Sequence, residues 1–125
     1  MSSGSADAPL DRAYAAGLAL LAGERWFEAH EAFETAWRAA AGCERDFFQG
    51  LVHVAVAWYQ ASRGNEVGCE RQLAKALRRL GPFAPVHRGL DVAALAAQLA
   101  AARGAFPSLP SLELRVADAP AGPGG

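Results

Sequence analysis

From Phe47 to Tyr59 the chain reads Phe-Phe-Gln-Gly-Leu-Val-His-Val-Ala-Val-Ala-Trp-Tyr, an apolar run whose polar exceptions are Gln49 and His53. A helix that is apolar on every side must be covered on every side. The run falls short of the roughly 20 apolar residues needed to cross a bilayer. It therefore predicts the central helix of a soluble bundle, with the rest of the chain wrapped around it. The composition agrees: Ala, Leu, Arg, Glu and Gly dominate, and β-branched residues are scarce outside the short Val run, so helix propensity is high nearly throughout. A chain of 125 residues fits one domain and can bury a core without disulfides or metal. The expected fold is all-α, a compact bundle of about five helices, with one domain over residues 8–116 and disordered termini at 1–7 and 117–125.

The punctuation of the chain sets the helices. Asp7 or Ala8 before Pro9 predicts the first start, because Pro is tolerated in a first helical turn. Leu10, Tyr14, Leu18 and Leu21 then keep helical period to about Ala22. A second helix runs from about Arg25 to Ala41, with Trp26, Phe27, Phe33 and Trp37 inward and Gly42 as its left-handed stop. The third spans about Arg45 to Arg63. Asn65 is a plausible N-cap for a fourth, from Glu66 to Leu80, and Gly81-Pro82 ends it. Residues 81–90, with His87, form a Pro/Gly-rich loop expected to be exposed. Asp91 caps a fifth helix carrying Val92, Leu95, Leu99 and Phe106 on one side, and the Pro-punctuated segment from Phe106 to Val116 should be extended and pack back over the bundle.

The first four helices repeat. Aligning Ala29 with Cys69 places Phe33 on Leu73 and Ala36 on Ala76, so helices 1 and 2 and helices 3 and 4 form similar antiparallel hairpins roughly 40 residues apart. Gly23-x-x-Trp26-x-x-Ala29-x-x-x-Phe33-x-x-Ala36 resembles the second half of a tetratricopeptide repeat. The second copy matches less well, with Glu66 where an aromatic would stand.

The chemistry concentrates in helix 2. His30, Glu34 and Trp37 are spaced to form one stripe. If helices 2 and 3 are closed by the short turn near Gly42, Glu34 should face Gln49 and His30 should face His53 across the 8–10 Å of packed helices. Imidazole and carboxylate suit Zn²⁺, Mn²⁺, Fe²⁺ or Ni²⁺, so His30, Glu34 and His53 form a candidate metal set. Gln49, Trp37, Arg38 and Tyr59 would flank it as ligand contacts, and Glu34 or Glu31 would be the proton acceptor if a metal-bound water acted on a hydrolysable substrate. The competing reading is a hydrogen-bond network that fixes helix register.

Phe27-Glu28-Ala29-His30-Glu31-x-x-Glu34-x-x-Trp37-Arg38, followed by Phe47-x-Gln49-Gly50-Leu51-Val52 and Arg63-Gly64-Asn65, resembles the small bacterial and archaeal proteins grouped as domain-of-unknown-function family 309, over roughly residues 10–115. The resemblance implies an all-helical domain marked by His30, Glu34 and Trp37, and a suspected metal site without an assigned activity. It departs at His53, where the family commonly has Gln, so a ligand set relying on His53 would be particular to this chain.

Two functions follow as expectations. One is a divalent-metal or small-ligand site between helices 2 and 3, extending to a metal-dependent hydrolase. The other is a tetratricopeptide-like interaction module in which the His/Glu stripe is structural. A formal net charge of −1 offers no electrostatic case for nucleic acid or an anionic membrane. The basic stripe Arg71, Lys75, Arg78 and Arg79 reads as solvated surface near a helix C-terminus. Partners are then a small molecule or a protein, the chain a monomer or homodimer, and Met1 to Pro9 lacks the pattern of a signal peptide, so the expected location is cytoplasmic. Cys43 and Cys69 are far apart in sequence and expected to be reduced.

Overall fold

The computed structural model describes residues 3–116, with side chains from residue 8 onward. Within them the chain forms α1 (Ser3–Ala22), α2 (Trp26–Ala39), α3 (Glu44–Ser62), α4 (Glu66–Leu80), a 3₁₀ turn (Gly81–Phe83), strands β1 (Val86–His87) and β2 (Leu90–Asp91), and α5 (Val92–Ala102). The backbone of α1 starts at Ser3, ahead of the start expected near Ala8, so Pro9 lies inside the helix and forgoes one backbone bond there. Residues 1, 2 and 117–125 of the expected disordered termini lie outside the described residues.

α3 is the axis, as its sequence requires. Phe47, Phe48, Leu51, Val54, Ala55 and Ala57 are fully buried, and Trp58 nearly so. α2 packs on one side of α3 and α4 on the other; α1 covers α2, and α5 rests on α4 and the 3₁₀ turn. The repeat is visible in the packing, because Ala29, Cys69, Phe33, Leu73, Ala36 and Ala76 are all wholly buried. Caps fall where expected: Asn65 Oδ1 accepts from the Gly68 amide and Asp91 Oδ1 from the Ala94 amide, both at 2.9 Å. In the α1–α2 turn Glu24 takes the left-handed conformation (φ 63°).

The region 81–90 is more ordered than a loop. Arg88 and Gly89 both have positive φ, the requirement of a tight two-residue hairpin turn, and they join β1 to β2 in register Val86↔Asp91 and His87↔Leu90. Arg88 bonds Glu44 (2.9 Å) and Asp11 (3.2 Å), and its carbonyl accepts from the Tyr14 hydroxyl (3.1 Å), tying the hairpin to α1 and α3. Burial pushes the Tyr14 hydroxyl up to about 12, with Arg88 lowering it and Glu44 raising it. Phe106 falls beyond the end of α5. Residues 106–108 form a turn rather than the extended start expected, and the segment after them bridges Leu90 through Val116 while the Pro110 carbonyl accepts from the Trp58 indole at 3.1 Å.

Close helix approach depends on small residues. A Cβ built on Gly17 would lie 2.4 Å from the fully buried ring of Phe33. Gly17→Ala should therefore destabilise the fold by about 1–3 kcal/mol through overpacking, although Ala is the better helix former by up to ~1 kcal/mol. A urea midpoint equal to or above wild type would show that α1 and α2 do not meet this way.

Candidate functional site

The stripe of α2 forms as its spacing dictates. His30 Nε2 lies 3.2 Å from Glu34 Oε2, and the other Glu34 oxygen accepts from Arg38 Nη2 at 3.4 Å. Trp37 is partly buried, with the Arg45 guanidinium stacked 4.1 Å above its ring. The antiparallel register of α2 and α3 also holds, because Trp37 meets Arg45 at one end and Phe27 meets Tyr59 (ring centroids 5.6 Å) at the other.

The expected convergence of His30, Glu34 and His53 does not occur. His53 turns to α4, where its Nδ1 is 2.6 Å from Gln72 Oε1, with Gln49 Nε2 3.5 Å from its Nε2. The reason is helical phase. Four residues carry a helix about 40° past a full turn and three leave it about 60° short, so Gln49 and His53 lean toward α4 while Val56 and Tyr59 lean toward α2. Among the described residues no group of three or more His, Cys, Asp or Glu side chains is placed to hold a metal ion. Glu31 is exposed, off the His30–Glu34 stripe, so it is not gathered into the site as a proton acceptor.

What faces His30 is a small cleft between α2 and α3 of about 140 Å³, lined by Phe27, His30, Val56, Tyr59 and Gln60. Phe27 was expected inward but is 48% exposed. Its position three residues before His30 places it on the His30 stripe, and that spacing was the signal for it. Its ring centroid lies 5.5 Å from that of His30. Trp26 instead packs inward on Trp58 (6.3 Å). Gln60 Oε1 accepts from Asn65 Nδ2 at 3.0 Å, and Arg63 lies over the Tyr59 ring. His87, expected to be exposed, is half-buried: it bonds Glu44 at 2.9 Å and packs edge-on to Phe47. Burial raises the Glu44 carboxyl, but the bonds from His87 and Arg88 outweigh it and hold the group below its ordinary range. Cys43 is exposed and Cys69 buried, both free thiols, and burial pushes the Cys69 thiol up.

The architecture defines a class, a bundle of helical hairpins whose second and third helices hold a carboxylate-oriented histidine over an aromatic cleft. Residues 14–72, the helical segment from Tyr14 in α1 to Gln72 in α4, match the model of the family described as Domain of unknown function (DUF309). No curated protein matches the chain.

His53 has a measurable signature. Burial lowers its pKa, the Gln72 bond raises it, and Lys75, Arg79 and Arg78 lower it further, for a net depression. The folded protein thus resists protonation that the unfolded chain accepts near pH 6.5, so this contribution to stability is full above about pH 6.5 and is lost as pH falls toward the folded pKa. Urea midpoints at pH 7.5 and 5.5 should fall further in wild type than in His53→Gln. An equal fall in both would remove His53 as the source.

Proposed function

We propose that this domain binds a small ligand in the His30 cleft, a molecule with one flat apolar body and a hydrogen-bonding or anionic end. The observation that carries the reading is that His30, oriented by Glu34, lines an aromatic-walled cleft. With Nε2–H donated to Glu34, neutral imidazole keeps the Nδ1 lone pair for a ligand; protonated imidazole offers a second donor and a charge. Phe27, Tyr59 and Val56 supply the apolar walls and Gln60 an amide. The volume lies well below the ~300–1,000 Å³ of sites for drug-sized ligands, which suits a single ring. A metal-dependent hydrolase, by contrast, needs donors that meet at one point. Of the expected donors only His30 and Glu34 come together, and among the described residues this set does not fit a three-ligand centre.

A second reading is supported by the exposure of Phe27 and by Glu34's bond to Arg38, which satisfies that carboxylate internally. Here the module grips a protein partner, and one partner side chain fills the cleft.

Two-dimensional NMR titration with single-ring probes, benzoate and phenol, tests the proposal. Shifts should cluster at Phe27, His30, Val56, Tyr59 and Gln60 and vanish in His30→Ala. Because the His30–Glu34 pair is partly solvent-exposed, that variant should lose no more than about 1 kcal/mol and stay folded. No clustered shift with either probe would overturn small-ligand binding. Stoichiometric Zn²⁺, Mn²⁺ or Ni²⁺ in wild type, absent from folded His30→Ala and Glu34→Ala, would replace it with a metal site.

A further inference from the structure

A larger cavity sits elsewhere. It is an open cleft of about 570 Å³ between the start of α3, the end of α4 and the 3₁₀ turn, lined by Cys43, Asp46, Arg78, Arg79, Pro82 and Phe83. That volume lies within the range of small-molecule sites. Along α3 it is about 20 Å from the His30 cleft, taking the rise from Asp46 to Tyr59. Four of its lining residues, Arg78, Arg79, Pro82 and Phe83, lie beyond the segment that matches the family.

We propose that this cavity binds a small organic oxyanion, a carboxylate or phosphate carried on an apolar body. The charge in it is unbalanced. Arg79 is neutralised by Asp46, but Arg78 makes no ion pair among the described residues, and Lys75 stands one turn before Arg79 on α4. Glu44, the other nearby acid, is turned away and held by His87 and Arg88. The first amides of α3 add little, because Arg45 and Asp46 already donate to Gly42 and Cys43. Arg78 must therefore supply the attraction, and its guanidinium fork matches the paired oxygens of a carboxylate or phosphate. The lining also has an apolar, braced part: beside Pro82, Phe83 packs on Phe47 (5.4 Å) and on the His87 ring (4.7 Å). A ligand with a charged end and a hydrophobic body meets both surfaces at once.

Cys43 gives the site a built-in reporter, since its exposed thiol lines the cavity while Cys69 is buried. In native protein, the rate of Cys43 with the anionic disulfide 5,5′-dithiobis(2-nitrobenzoate) is compared with that of the neutral 4,4′-dithiodipyridine. Removing one unit charge at this range should lower the anionic-to-neutral rate ratio about threefold in Arg78→Gln, and taking the ratio cancels any change in thiolate content. At constant ionic strength, inorganic phosphate or benzoate should slow Cys43 in wild type and lose that effect in Arg78→Gln. Protection by phosphate alone assigns a phosphate, and by benzoate alone a carboxylate. An unchanged ratio, protection by neither anion, or protection that survives in Arg78→Gln would overturn the proposal. Circular dichroism and the continued silence of Cys69 report that the variant is folded.

Discussion

The structure depends on the burial of α3. Removing one large apolar side chain from water is worth about 1.5–3 kcal/mol, and this helix withdraws Phe47, Phe48, Leu51, Val54 and Trp58 together. No single neighbour can cover such a cylinder. α2 and α4 must flank it and α1 and the C-terminal segments must close the remaining side, which is why the chain is a bundle. Gly50 lets α4 approach, with the Leu80 side chain where a Cβ would otherwise stand.

The same geometry explains where polar groups collect. Along the middle of α3 the side left for them is the stripe through Gln49, His53, Val56 and Gln60, all partly exposed, and both neighbouring helices direct polar side chains of their own to its margins. His30 and Glu34 come from α2; Gln72 and Arg79 come from α4. Polar groups on such a face are satisfied by whichever neighbour is nearest. Among the described residues no buried side-chain nitrogen or oxygen lacks a partner. Two separate surfaces result, an aromatic cleft on the α2 side and, at the far end of α3, a basic cavity against α4.

Much of this was legible in the amino acids. The all-round apolar run identified α3, Asn65 and Asp91 marked two helix starts by their capping chemistry, and the spacing of Ala29, Phe33 and Ala36 against Cys69, Leu73 and Ala76 revealed the repeated hairpin. The His30–Glu34 pair follows from i,i+4 spacing alone. Less legible were contacts between segments distant in sequence. Nothing local announces that His87 would bond Glu44, that Arg88 would join Asp11 to Glu44, or that Pro110 would accept from Trp58.

What the sequence by itself determined is therefore the set of helices, their order, the face each one buries apart from Phe27 on α2, and the register of its antiparallel hairpins, because these rest on periodicity, capping and the number of residues in a turn. Only the tertiary structure decided the lateral partner of each polar side chain. A helix turns by about 100° per residue, so residues that share a stripe still fan out by tens of degrees, and that small angle sent His53 to Gln72 on α4 while leaving His30 to face Val56 and Tyr59.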